Sequence, residues 1–415
     1  MKFQYIMGLS LLLTANIAYS KPVCQTNNAR AVLECALKQN RNILSSNAAI
    51  SVAGINKDIS KRFLNPELEI TGGYSNGTDE DERGMIMGLA VMQTIETPTK
   101  RKAKIDQAKA RLTAATAGYT EQKEIITVQV LTILNRLRQI EKEQSALSET
   151  IATFQHIIKR YGEQSALSYE DRVSADLFKL ALNNYQIEKN QLTAEEKSYI
   201  ANLQSILNFP VKMNRKLFFY APQTWPKISP TPSVENSVDI ALQKAEVDQS
   251  RAEFLDAKTS SFSSFSVGPY IDSQPGQFGR ADEYGLKFSL PIPIYSSKSA
   301  ATAGRISYQN AEQNFEAKKR ELEFSYNSLR EQYNNGTKAL RTFGIGNIEN
   351  KHKQTENLFD TGRVSSSILI EAHRQMIDSI RIYHQYELET LQSLWKLYAL
   401  QGKLLGNVKE VAYAK

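Results

Sequence analysis

Apolar and polar positions follow two different periods along this chain, in a fixed order that occurs twice. Leu68, Ile70, Gly72 and Tyr74 alternate with Glu67, Glu69, Thr71 and Ser75. Met85, Met87, Leu89, Val91 and Ile95 make a second row, interrupted by Gln93. Such alternation marks a strand, whose successive side chains point to opposite faces. The rows return downstream as Phe265, Val267 and Ile271, then Tyr284, Leu286, Phe288, Leu290 and Ile292. Gly88-Leu89-Ala90-Val91 and Ile95 match Gly285-Leu286-Lys287-Phe288 and Ile292 at a constant offset of 197. Strands are predicted over about 66–75, 84–95, 264–272 and 283–293. Runs of about 9–11 residues suit transmembrane β-strands and half-buried hairpins alike. The loops from Ser75 to Arg83 and from Asp272 to Arg280 are polar and rich in turn formers, and the four acids Asp79 to Glu82 require water.

After each strand pair the period changes to three and four. Ile105, Ala108, Leu112, Ala115, Tyr119, Ile126, Val130, Ile133, Leu137 and Ile140 form a narrow seam, with Gln122 in the skipped position. Tyr308, Ala311, Phe315, Leu322, Leu329, Tyr333 and Leu340 repeat it. A sustained seam of this kind belongs to coiled-coil packing. Helices are predicted over about 98–160 and 298–358, each close to 90 Å at about 1.5 Å per residue. Gly344-Ile345-Gly346 interrupts the second and predicts a kink. Each long run breaks, at Tyr161-Gly162-Glu163-Gln164-Ser165 and at Phe359-Asp360-Thr361-Gly362-Arg363, and a return helix follows, over about 169–207 and 366–401. Helices over about 35–61 and 234–262 lead into the two strand pairs. The organisation read from this is a leader (1–20), a first repeat (21–208), a proline-rich connector (209–232), a second repeat (233–404) and a tail (405–415).

The period dictates an architecture. A polar helix about 90 Å long is unstable alone in water and needs lateral partners. Four strands cannot close a barrel, and lipid tolerates no open sheet edge. Several copies side by side solve both problems, and three would supply twelve strands. The expected fold is therefore mainly α with a small β part: a duplicated strand-strand-long helix unit. As a trimer it would form a 12-stranded membrane β-barrel continuous with a long α-helical barrel.

Composition agrees with long helices. Proline is scarce in most of the 415 residues, while Ala, Gln, Glu, Lys, Leu and Asn dominate. Lys2 followed by an apolar run from Ile6 to Ala18, with Ala18-Tyr19-Ser20 as a small-x-small site, predicts a secretory signal cut after Ser20; a retained anchor is the alternative. No later stretch has the length and apolarity of a spanning helix. Losing Lys2 with the leader lowers the formal charge of +7 by one, to +6, a mild bias on interleaved helix charges. No compact basic patch with interleaved aromatics points to nucleic acid. Cys24 and Cys35 are candidates for one local disulfide tying down the loop before the first helix. Lys21-Pro22-Val23 does not fit the small and aliphatic residues that lipoprotein processing uses.

The duplicated plan resembles the TolC family of trimeric outer-membrane efflux channels over nearly the whole mature chain. So do Asn65-Pro66-Glu67-Leu68, Gln93-Thr94-Ile95-Glu96-Thr97, the Pro-Ile-Pro-Ile ending of the last strand, and Gly362-Arg363-Val364-Ser365 followed by Leu369-Ile370-Glu371-Ala372. The strand exits are most similar to the branch serving heavy-metal efflux pumps, although Pro98-Thr99 stands where that branch has Gly-Gly. The resemblance implies a passive exit duct, its 12-stranded β-barrel in a Gram-negative outer membrane and its long α-helical barrel crossing the periplasm. It carries small molecules or metal ions from an inner-membrane transporter and its periplasmic adaptor. The alternative from another class is a periplasmic coiled-coil scaffold or pump adaptor without a barrel.

By the same resemblance the breaks are tips that contact the adaptor and hold the pore shut, through Gly162, Ser165, Phe359, Gly362 and Arg363. Phe359 lacks the tyrosine hydroxyl of some family members, and Arg363 stands one residue earlier than their arginine. Asp171 and Glu371 align with acids facing the pore, which threefold symmetry would turn into carboxylate rings that favour cations. No catalytic constellation, phosphate loop or cofactor motif is legible. His156, His352, His373 and His384 are scattered, without ligand pairing at i,i+4 or a neighbouring cysteine, so no metal is expected; His373 and Glu371 do not share a helix face.

Overall fold

The computed structural model describes residues 24, 26–76, 83–166, 168–259, 263–276, 279–291 and 297–411. The leader at 1–20, the acidic loop residues Asp79 to Glu82, and Ile292 and Pro293 of the last strand exit lie outside the described residues.

Among the described residues the chain forms nine α-helices and four strands. Two short helices, α1 (Ala29–Gln39) and α2 (Arg41–Ser60), stand where one helix is predicted over 35–61. Asn40 separates them: its backbone turns extended, and its side chain accepts from the backbone of Asn42 and Ile43 while donating to the Ile206 carbonyl. A disulfide joins Cys24 to Cys35 on α1. Then come β1 (Glu67–Asn76), β2 (Arg83–Glu96) and α3 (Pro98–Gly162), a single helix of 65 residues and about 100 Å. Pro98 occupies its first turn, where a missing N–H is harmless. The return helix α4 spans Tyr169–Leu207 and ends at left-handed Asn208.

The second repeat begins with α5 (Val238–Thr259), β3 (Ser264–Gly276) and β4 (Gly279–Ser289). The long run predicted over 298–358 is divided into α6 (Ser297–Thr342) and α7 (Ile345–Asp360) at Phe343-Gly344, where the glycine interruption lies. Helix α8 (Ser366–Leu400) returns, and the expected tail contains α9 (Leu404–Val411).

The helices bury their stripes in two clusters. The larger surrounds Trp395, Leu134 and Tyr326 at mid-height, where the connector wraps the bundle: Tyr326 and Tyr333 donate their hydroxyls to the carbonyls of Ser229 and Pro226. The smaller lies toward the turns between the long and return helices. The lower seam of α3, from Ile126 through Val130, Ile133 and Leu137 to Ile140, is buried as the heptads require. Higher up, the buried positions are Ala103, Ala110 and Ala117, while Ile105, Ala108, Leu112 and Ala115 stay half-exposed. The upper part of α3 is flanked by α2 and α5, and alanines at seven-residue spacing let a neighbouring helix approach closely.

Candidate functional site

The four strands form one antiparallel sheet in the order β1-β2-β3-β4, so β1 and β4 are its edges. The register puts Leu68 opposite Val91, Ile70 opposite Leu89 and Tyr74 opposite Met85, and Leu89 in turn opposite Ile271. In the second pair Val267 faces Phe288 and Ile271 faces Tyr284. The constant offset would have placed Phe265, not Val267, opposite Phe288; the two repeats differ in register by two residues. A two-residue slip preserves the faces, where a one-residue slip would invert them. All the predicted apolar rows therefore share one face. That face is bare: Leu286 is 77% exposed, Ile70 72% and Leu68 64%.

The opposite face is polar and concave. Lys287 on β4 pairs with Glu69 on β1 at 2.6 Å, across both intervening strands. Three strand spacings are about 14 Å in a flat sheet, so this pair requires the sheet to curl toward its polar side. Tyr270 donates to Glu283 at 2.8 Å and Thr94 bonds Ser266 on the same side. Gly268 of β3 leaves no room for a side chain against β2: a Cβ there would lie 1.8 Å from the Val91 carbonyl oxygen.

At the far end of the helices lie the two turns. Arg363 N–H donates to the Leu358 carbonyl and Gly362 N–H to that of Phe359, closing α7 with left-handed Gly362 at φ +71°. Gly162 is helical and exposed, and Ser165 and Arg363 are exposed. Phe359 packs edge-on against Phe178 of α4, with ring centroids 5.8 Å apart, and Arg160 pairs with Asp360 at 3.3 Å. The structure thus joins the two turns through Phe359, a residue singled out in sequence, and through Arg160, Phe178 and Asp360, which were not. Tyr161, Phe154 and Tyr185 complete the aromatic cluster around Phe178.

The two acids have local partners. Asp171 forms a capping box: its backbone N–H donates to Ser168 Oγ, and its carboxylate accepts from the Ser168 N–H. Glu371 is exposed and held by Arg374 at 2.6 and 2.8 Å and by Gln375 at 2.8 Å; the Arg374 and Gln375 bonds lower its pKa to about 2. Arg374 also binds Asp378, so each chain offers an acid-base-acid set here rather than a lone carboxylate.

Sequence reading missed one buried group. His352 and Glu356 stand four apart on α7, on one helix face, and the fold brings His373 of α8 against them. The absence of i,i+4 ligand pairing read from the sequence is thus corrected: His352-x-x-x-Glu356 is such a pair, and His373, its third member, lies on another helix.

No protein-family model and no curated protein matches the chain. Solved structures do. The CmeC outer-membrane channel of Campylobacter jejuni is 16% identical, with 93% of this chain and 89% of that one covered and a TM-score of 0.69. The outer-membrane protein VceC of Vibrio cholerae is 12% identical over 91% and 96% of the two chains, at 0.73. CusC, solved for the conformational changes accompanying folding and transmembrane channel formation, is 13% identical over 91% and 92%, at 0.73. At these identities the likeness establishes the fold, over nearly the whole of each chain.

Proposed function

We propose that this chain is one protomer of a trimeric exit duct of the TolC type, set in a Gram-negative outer membrane and reaching through the periplasm. The observation that carries the reading is the sheet: a bare apolar convex face, a polar concave face and two open edges, at the end of α3, a helix about 100 Å long. Lipid suits the first face and water the second. The edges need partners, since an unpaired backbone group in hydrocarbon costs several kcal/mol. Three copies joined β1 to β4 form a closed barrel of twelve strands. A periplasmic scaffold or adaptor without a barrel leaves the apolar face uncovered.

In this account the repeats at 21–208 and 233–404 are equivalent staves, and the connector at 209–232 is an equatorial belt. The turns around Gly162, Ser165, Phe359, Gly362 and Arg363 meet a periplasmic adaptor and an inner-membrane pump, which chooses the cargo. Small molecules or metal ions pass without a chemical step, so the protein is not an enzyme. Glu371 and Asp171, repeated by symmetry, line the entrance. Outer-membrane extraction followed by planar-bilayer recording tests the reading. It predicts a membrane-bound trimer with a discrete conductance; a soluble monomer or dimer in the periplasmic fraction would sink it.

A further inference from the structure

His352, Glu356 and His373 form a buried cluster that the duct reading does not use. His373 is fully buried and His352 nearly so, while Glu356 keeps a quarter of its side chain open to solvent. The ligating atoms lie within 4.8 Å of one another. His373 Nδ1 is occupied by Thr150 Oγ1 and His352 Nε2, each at 3.0 Å. Its other nitrogen, Nε2, is buried without any hydrogen bond and faces Glu356 Oε1 at 3.5 Å. His352 Nε2 is 3.9 Å from the same oxygen.

An imidazole nitrogen and a carboxylate oxygen that face each other without a hydrogen bond leave room for a shared cation. A shared proton would draw the two atoms to about 2.7–2.9 Å, and they stand 3.5 Å apart with no hydrogen bond at Nε2. The separations suit a larger cation: tetrahedral zinc with bonds of about 2.0–2.1 Å sets its ligands about 3.3 Å apart. Two imidazoles and one carboxylate are ligands for a divalent transition metal, not for calcium or magnesium. Thr150 supplies the outer support that metal-bound histidines usually have: a proton on His373 Nδ1 bonded to its Oγ1, 3.0 Å away, leaves Nε2 for the ion, which takes the lone pair that His352 Nε2 otherwise turns toward that Nδ1.

The geometry points to a divalent transition-metal site formed by His352 and Glu356 of α7 and His373 of α8, backed by Thr150 of α3. The site lies ten and eleven residues from Gly362 on its two sides, about 15 Å along the helices from the turn. A bound ion would tie α7, already separated from α6 by the break at Phe343-Gly344, to α8.

The test uses the full chain without a histidine tag, extracted in detergent, stripped with a chelator and titrated with Zn2+. Calorimetry and metal analysis should give one ion per chain. Co2+ in place of Zn2+ should give the visible absorption bands of a low-coordinate nitrogen and oxygen site. Glu356→Gln, at the partly open position, and His352→Asn should each remove the saturable site, and Thr150→Val should weaken it by about tenfold. His156→Ala, at an exposed histidine, should leave it intact. Absence of saturable binding, or binding that survives both Glu356→Gln and His352→Asn, overturns the assignment.

Discussion

Glu143 is 3% exposed and lies between Arg136 and His384. Arg136 donates to it at 2.8 and 3.2 Å while also holding Glu195, and His384 Nδ1 donates at 2.7 Å. Burial pushes this carboxyl up, but the bonds from His384 and Arg136 outweigh it and keep it below the usual range. Next to it Gln139 bonds Glu387 and the His384 carbonyl, and Arg138 pairs with Glu387, so an ionic layer joins α3 to α8. Removing one member strands the others in the interior. Glu143→Ala is therefore expected to lose about 3 kcal/mol, read as a lowered unfolding midpoint by circular dichroism. Glu124 behaves in the opposite way. Burial, with Asp239 and Glu121 nearby, raises its pKa to about 7. A raised carboxyl binds protons more tightly folded than unfolded, so its contribution is lost as pH rises from about 4.5 through 7. Glu124→Gln should stabilise the protein at pH 8 by about 1 kcal/mol after allowance for solvent screening, and by nothing at pH 4. An equal effect at both pH values would contradict this.

The elements differ in how much of them the chain discloses. Helix α4 is legible to the residue because Ser168 and Asp171 box its start and Asn208 stops it. The alternating rows give the faces of all four strands, since period two survives any even shift. The two-residue difference in register between the repeats was not legible, because alternation discloses the face of a residue and any even shift preserves it. The division of α1 from α2 was hidden because Asn40 draws one of its bonds from Ile206, far along the chain. For the same reason the cluster at His352 was only partly visible, as one of its three residues, His373, lies on another helix. The faces carry a prediction. Leu286→Arg places a charge on the convex face and should cost about 2–4 kcal/mol in the membrane, with a matching fall in outer-membrane yield. Lys287→Gln, one residue away on the concave face, should leave the yield near wild type. At the turns, Phe359→Ala removes the ring that packs on Phe178. Amide exchange across 345–360 should then quicken while that of α5 stays unchanged.

At the scale of the whole molecule, one chain leaves two needs unmet. Its sheet has two open edges and a bare apolar face, and its helices leave apolar side chains exposed, among them Leu180 at 63%, Ile306 at 59% and Ile187 at 56%. Closure by rotation of identical copies satisfies both, because the same edges that complete the barrel bring the helices side by side. The channels CmeC, VceC and CusC share the fold at low identity, which fits a plan held by period and face rather than by particular residues. The most direct test is the native mass of the species extracted from the outer membrane in detergent. The account predicts a single assembly of three chains; a monomer, or an assembly of any other number, would contradict it.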